Sequence, residues 1–260
     1  MLARERQNQI YTWLRETGAV TTSDLVERLN VSIETVRRDL LAMEQKGLLS
    51  RVHGGAVVKG SMKLFPDLQQ RNQEYGREKL ALSRKAAEFV CEGDIIALDA
   101  GSTAIAFARA LKERFTSLTV ITHTYDVFES LRDHKDFQVI LCSGQYLKKE
   151  NAFCGVLTMD AYEKLHFQKA FIFPSAVSLA FGICDHQSDL YPIQRLLLRR
   201  ADHTFILADS SKFEKQALMK IDDMRSEYTY VTDNALPAQL QKLYHENNIQ
   251  IYTGEIKKGE

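Results

Sequence analysis

Two groups of residues in this chain have the type and spacing to do chemistry. The first is Ser32-Ile33-Glu34-Thr35-Val36-Arg37-Arg38-Asp39-Leu40, followed shortly by Arg51-Val52-His53-Gly54-Gly55. Paired guanidiniums on one helix suit nucleic acid, because one can hold a phosphate while the other pairs with both acceptors of a guanine edge. The second group is Asp99-Ala100-Gly101-Ser102-Thr103 together with Asp209-Ser210-Ser211-Lys212-Phe213. There a glycine lets the backbone approach a ligand, hydroxyls and helix-terminal amides donate to a phosphate, and a lysine adds a cation. An enzyme is not expected. Asp99, Asp209 and Lys212 would be its best acid–base groups, but spacing places no nucleophile–base pair or carboxylate dyad.

The first group needs a helix to carry it. Ser32 is the expected N-cap, and Ile33, Val36, Leu40 and Met43 recur at three- and four-residue steps, so they share one face. Glu34, Arg38 and Gln45 point the other way with Thr35 beside them, and Arg37 lies on the flank within reach of phosphate. Asp39 is expected to restrain an arginine or pack locally. Upstream, Thr21-Thr22-Ser23-Asp24 opens another short helix and Asn30-Val31 breaks it from the next. Ile10, Trp13 and Leu14 supply the buried stripe of a first helix, and Leu25, Val26 and Leu29 that of the second. Gly47 stops the arginine helix. Leu48-Leu49 and Ala56-Val57-Val58 then pair as strands around a tip bearing Arg51, His53 and Gly54, which meet phosphate or a minor groove, although His53 serves equally well as a turn residue. The pattern is a helix-turn-helix with a wing over residues 1–58, whose second helix enters the major groove of double-stranded DNA. A helix-turn-helix used for protein contact is the blander alternative.

The second group needs a larger scaffold, and 260 residues leave room for one. Lys59-Gly60-Ser61, Pro66 and the polar run Gln69 to Gln73 interrupt the periodicity, so residues 59–76 are expected to be a linker and 77–260 a second domain. Short apolar runs at Ile95–Leu98, Val120-Ile121, Phe137–Leu141, Ala170–Phe173, Thr204–Leu207, Tyr228–Val231 and Ile249–Tyr252 alternate with helical stretches. Those stretches include Arg77–Cys91, Thr103–Arg114, Tyr125–Arg132, Ile193–Ala201 and one opened by Pro237. The expectation is a doubly wound α/β domain with a mainly parallel sheet. Ligands in such sheets sit at the carboxyl ends of strands, where Asp99, Gly101, Ser102, Thr103, Thr122, Ser143, Gly144, Asp209, Ser211 and Lys212 fall. Helix capping by Ser and Thr explains any one of these turns without a ligand.

Composition constrains less. Lys plus Arg equals Asp plus Glu at 34 each, and residues 1–60 carry nine basic against seven acidic side chains. Positive charge is therefore placed rather than abundant, and operator affinity should lean on pairing of subunits and on salt. The four cysteines (Cys91, Cys142, Cys154 and Cys184) form no C-x-x-C pair and sit among apolar residues, which predicts reduced core cysteines in a cytoplasmic protein. Cys184-Asp185-His186 is discounted as a metal site, since three adjacent side chains rarely converge on one ion. No signal peptide or membrane-length apolar run is visible, and no cofactor is expected.

The ungapped Thr35-x-Arg37-Arg38-Asp39-Leu40 and Arg51-x-His53-Gly54-Gly55-Ala56 resemble the N-terminal domain of the DeoR family of bacterial repressors. The Asp99-x-Gly101-Ser102-Thr103 and Asp209-Ser210-Ser211-Lys212-Phe213 signatures resemble that family's C-terminal sensor domain, so the resemblance covers almost the whole chain. It implies a fold related to ribose-5-phosphate isomerase, a phosphorylated-sugar effector, a homo-oligomer, and repression of carbohydrate genes. The chain departs from the family at Thr122-His123, where Thr-Asn is usual, at Ser143-Gly144 for Gly-Gly, and at Pro174-Ser175-Ala176 for a Gly-rich turn. It departs again at Leu190 to Arg195, where the family carries Glu-Ala-x-x-Lys-Arg. A carboxylate and a lysine are thus missing from one wall, which implies altered sugar recognition. Two other readings stay open: a DNA-binding oligomer with a vestigial or repurposed pocket, and an isomerase-like enzyme with a DNA-binding appendage.

Overall fold

The computed structural model describes residues 3–17, 19–52, 55–58 and 68–256. The chain divides into two compact units, Met1–Pro66 and Asp67–Glu260.

The first unit runs α1 (Ala3–Thr17), β1 (Ala19–Thr21), α2 (Thr22–Leu29), α3 (Ile33–Gln45), β2 (Leu49–Val52) and β3 (Gly55–Val58). Its boundaries follow from local chemistry. Thr21 caps α2 by accepting from the Asp24 amide at 3.1 Å, and Asn30, left-handed at φ 50°, ends it. Ser32 caps α3 by accepting from the Thr35 amide at 3.3 Å, as expected. At the far end Leu48 N–H donates to the Met43 carbonyl and Gly47 N–H to that of Glu44, a paired closure that needs Gly47 at φ 72°. Ile10, Leu14, Leu25, Leu29, Val36, Leu40, Met43 and Leu49 form the core between the helices and the sheet. Ile33 does not join them and is 46% exposed. As the first residue of α3 its side chain projects back past the helix end, beyond the reach of α1 and α2.

The wing is a three-stranded antiparallel sheet in the order β1-β3-β2. β1 carries no apolar alternation that sequence reading could find. It pairs with β3 from Ala19↔Val57 to Thr21↔Gly55. A Cβ at Gly55 would lie 2.1 Å from the Val20 carbonyl oxygen, so only glycine admits that approach.

The second unit opens with α4 (Leu68–Gln73) and α5 (Gly76–Ala86), then β4 (Ile95–Leu98), α6 (Ser102–Arg114), β5 (Thr119–Thr122), α7 (Tyr125–Leu131) and β6 (Gln138–Leu141). A hairpin of β7 (Gln145–Leu147) and β8 (Ala152–Cys154), then α8 (Val156–Lys164), lead to β9 (Lys169–Ile172). The chain continues through β10 (Ala176–Ser178), β11 (Gly182–Asp185), α9 (Tyr191–Arg200), β12 (His203–Leu207), β13 (Met219–Asp222), β14 (Thr229–Asp233), α10 (Ala238–Glu246) and β15 (Ile251–Gly254). Residues 68–73 and 76, expected to be linker, are therefore helical; their polar side chains had concealed an amphipathic start at the buried Leu68.

Seven strands form one sheet in the order β15-β14-β12-β9-β4-β5-β6, and every neighbouring pair is parallel. Period-two alternation splits its side chains between two layers. Ile96, Leu98, Val120 and Phe171 pack on one face with Leu82, Phe107 and Val127, whereas Ala97, Ile121, Ala170 and Ile172 pack on the other with Tyr162, Leu196 and Tyr244. The sheet is doubly wound. From β4 the chain moves outward to β5 and β6, then returns to place β9 on β4's other side. The C-terminal ends of β4 and β9 are thus the point where strand order reverses, and a crevice is expected there. A smaller antiparallel sheet, β10-β11-β13, stands beside that end.

Cys142, Cys154 and Cys184 are buried, but Cys91 is exposed, in the turn where its amide donates to Asp94 Oδ2 at 2.8 Å. Among the described residues no helix is long and apolar enough to cross a membrane.

Candidate functional site

On the first unit, Glu34, Arg37, Arg38 and Arg51 are exposed, Ser32 caps α3 at the same end, and Thr22 and Thr35 are half-buried beside them. Arg37 pairs with Glu34 at 2.8 Å, but at 58% and 68% side-chain exposure the pair is easily exchanged for a phosphate. Arg38 makes no ion pair among the described residues. Asp39 faces inward and holds Arg6 of α1 at 2.6 Å and Gln7 at 3.1 Å. Glu44 accepts from the Arg51 amide at 2.8 Å, tying the wing to α3. His53 and Gly54, also expected to meet DNA, lie outside the described residues.

On the second unit the residues gathered at the C-terminal ends of β4 and β9, where a crevice is expected, fall toward two chemically different ends. One end is cationic. Gly101, at φ 134°, precedes the first amides of α6, and Arg71 Nη1 lies 4.0 Å from the place a Gly101 Cβ would occupy. Lys212 donates to the Pro174 carbonyl at 2.9 Å and stands 3.9 Å from Asp209 Oδ2. Lys79 reaches in from α5, donating to the carbonyls of Arg71 and Glu74. Its ammonium is brought down to about 8, by burial first and by neighbouring Lys212 next. Burial also lowers Lys212. Three cations crowded at a helix N-terminus favour an anion that relieves their repulsion.

The other end holds Asp99, His123, Asp185 and Gln194. Gln194 Nε2 donates to Asp99 Oδ2 at 3.1 Å and to Asp185 Oδ2 at 2.7 Å. His123 Nδ1 meets the Tyr162 hydroxyl at 3.0 Å, and its Nε2 lies 3.7 Å from Asp99 Oδ1. Five buried polar atoms in the crevice have no hydrogen-bond partner: Asp99 Oδ1, Thr103 Oγ1, His123 Nε2, Gln194 Oε1 and Asp209 Oδ2. Such atoms are costly unless a water or a ligand satisfies them. Among the described residues no group of three His, Cys, Asp or Glu side chains is arranged to hold a metal ion.

Burial, and then Asp185, push the Asp99 carboxyl up to about 7, while burial drives His123 down to about 3, keeping it neutral. With its folded value above the ordinary 3.8, Asp99 holds a proton that the unfolded chain releases, so stability is lost as pH rises through that interval. Asp99→Asn, neutral throughout, is expected to raise the melting temperature over wild type more at about pH 8 than at about pH 5. Equal shifts at the two pH values would mean that Asp99 ionises normally.

The expected ligand residues do not all converge. Asp99, Gly101, Ser102, Thr103, Asp209, Ser211 and Lys212 gather at the crevice, with Ser211 donating to Asp209. Thr122 is buried and already engaged, donating to the Leu98 carbonyl at 3.3 Å and accepting from the Thr124 amide. Ser143 is exposed, and its carbonyl accepts from Thr158. A Gly144 Cβ would meet Thr158 Oγ1 at 2.2 Å and the Cys154 carbonyl at 2.6 Å, so packing against α8 accounts for that glycine. Sequence reading left Arg71, Lys79, Glu150, Tyr162 and Gln194 off its site. Arg71 sits in the polar stretch and pairs with Glu150 across 79 positions, a contact that no local signal announces.

The fold and the two residue groups define a class: a winged helix-turn-helix joined in one chain to a doubly wound α/β unit whose strand ends gather cations at a helix N-terminus. Residues 6–61 match the DeoR-like helix-turn-helix domain and residues 74–234 the DeoR C terminal sensor domain. The chain belongs to the DeoR family of bacterial transcriptional regulators. It is 30% identical to the L-fucose operon activator of Haemophilus influenzae, over 94% of this chain and 97% of that one. It is 31% identical to the lactose phosphotransferase system repressor of Lactococcus lactis, over 99% of each. Among solved structures, ribose 5-phosphate isomerase A of Methanocaldococcus jannaschii is similar at 17% identity and a TM-score of 0.39, over 53% of this chain and 54% of its own length.

Proposed function

We propose that this protein is a cytoplasmic, homo-oligomeric repressor of a carbohydrate-metabolism operon, released from or tightened on its operator by a phosphorylated sugar. Residues 1–58 read DNA through α3 and the wing. The unit beginning at Asp67 binds the effector and pairs the subunits. The observation that carries this reading is the cationic end of the crevice, where Arg71, Lys79 and Lys212 meet the start of α6 beside the unpartnered Thr103 hydroxyl. Sugar operons figure in the names of the relatives, and a phosphate fits the cationic end of this crevice. Control requires that the effector favour one arrangement of the paired DNA-reading units over another.

A thermal-shift comparison of sugar phosphates with their unphosphorylated parents tests the effector, because a ligand that binds only the folded state raises the melting temperature. A phosphate-dependent rise is expected; no rise across a broad panel would remove the sensing role. Arg38→Ala is expected to weaken operator binding by about 1–3 kcal/mol while leaving non-specific binding nearly unchanged. An equal loss on both DNAs, read by anisotropy at fixed salt, would reassign Arg38 to phosphate.

A further inference from the structure

The carboxylate end of the crevice is not matched by an ordinary sugar hydroxyl. Asp99 follows β4, Asp185 ends β11, and both are buried. Asp185 Oδ1 is well supplied, accepting from Ser175 Oγ at 2.8 Å and from the amides of His186 at 2.6 Å and Gln187 at 3.3 Å. Between the two carboxyls stands Gln194, whose single amide nitrogen serves both. With acceptors on both sides, its orientation is settled: Nε2 faces the carboxyls with both protons used, and Oε1 points elsewhere. Glutamine carries no charge, so the bridge satisfies geometry without neutralising either carboxyl. Asp99 Oδ1 and Gln194 Oε1 are left buried and unpartnered, and both are acceptors when Asp99 is ionised. Neutral His123, 3.7 Å from Asp99 Oδ1, supplies no cation.

The remaining charges balance only while Asp99 keeps its proton: Asp185, Asp209 and Glu150 face Arg71, Lys79 and Lys212 in the same crevice, and an ionised Asp99 is one carboxylate in excess. Arg71 is committed to Glu150, and Lys212 leans on Asp209 and Pro174. A phosphate added at the cationic end would draw those cations further from the Asp99–Asp185 pair.

Resting on the reading that a phosphate binds at the α6 end, we propose that the Asp99–Gln194–Asp185 end receives an ammonium group. The effector is then an amine-bearing sugar phosphate, and Gln194 is the residue that sets this preference. A primary ammonium brings three donors and the charge that glutamine lacks, whereas a hydroxyl brings one donor and no charge. A lysine at position 194 would place that cation inside the protein and leave no need for one on the ligand.

The test is calorimetric titration of the full-length protein with glucosamine 6-phosphate, glucose 6-phosphate and N-acetylglucosamine 6-phosphate, the corresponding galacto and manno series, and unphosphorylated glucosamine. Within a series, the free amine is expected to bind about tenfold or more tighter than the hydroxyl or acetamide, the scale of one charge-assisted hydrogen bond. Gln194→Lys is expected to abolish or reverse that ratio while phosphate dependence persists. Amines binding no better than their hydroxyl counterparts would overturn the proposal and leave the phosphate reading standing. An unchanged ratio in a folded Gln194→Lys would overturn the role of Gln194. Absence of any phosphate-dependent binding would overturn both readings together. The wild-type ratio decides the ligand class whether or not the variant folds.

Discussion

Lys212→Ala is expected to weaken binding of the phosphorylated effector by about 2–5 kcal/mol, the usual cost of truncating one partner of a desolvated charge pair. Its side chain is only 20% exposed and is held between the Pro174 carbonyl and Asp209. Removing it would leave a bound phosphate facing Asp209 with less to offset the repulsion. Arg71 and Lys79 remain, but each is already tied, Arg71 to Glu150 and Lys79 to two backbone carbonyls. Calorimetry gives the affinity, and operator binding with and without effector gives the response. Operator affinity in the absence of effector should hardly change, since Lys212 lies in the second unit. An effector response equal to wild type would take Lys212 out of the site. Binding should also take up a proton near pH 8, because an anion beside Lys79 offsets the burial, and after it the Lys212 repulsion, that bring its ammonium down to about 8.

Asp39→Ala is expected to cost about 3–5 kcal/mol, because it leaves a buried guanidinium without its carboxylate. Arg6 and Asp39 have side-chain exposures of 12% and 5% and meet at 2.6 Å, while Gln7 adds a second donor at 3.1 Å. The pair fastens α1 to α3, so its loss should loosen the platform that presents Arg37 and Arg38. Against a total stability of about 5–15 kcal/mol for a domain, such a loss is large, and operator binding should fail with folding. Thermal melts followed by circular dichroism check this. A wild-type melt with impaired operator binding would mean that Asp39 acts at the DNA rather than in the core.

The helix-turn-helix was legible because its signals are local. Ser32, Asn30 and Gly47 act on backbone groups within a few positions, and the apolar spacing of Val36, Leu40 and Met43 states which face turns inward. The sequence also left Asp39 to restrain an arginine or pack locally, but Arg6 lies 33 positions away and was not identifiable. Ile33 shows the limit of periodicity: it has the right phase, yet it sits where the neighbouring helices have ended. The parallel sheet was legible for a similar reason, since strands buried on both faces read as continuous apolar runs. β10, β11 and β13 were not, because their short segments alternate with polar turns and form a separate small sheet.

By itself, then, the sequence determined the two-unit order, the arginine helix with its caps, the alternation that makes a doubly wound sheet, and the glycine–hydroxyl turn at Gly101 with its partner at Lys212. Tertiary structure alone decided which charges meet. The reversal of strand order between β4 and β9 draws Asp99, Asp185 and Gln194 to one point, and α4 brings Arg71 to Gly101 from a stretch that reads as linker. Thr122 and Gly144 were displaced from the site by the same means, their groups taken by the Leu98 carbonyl and by α8. The physical reason is one of range. Caps and periodicity arise from neighbours in the chain, whereas burial of charge, and the ligand needed to balance it, depend on residues that only folding brings together.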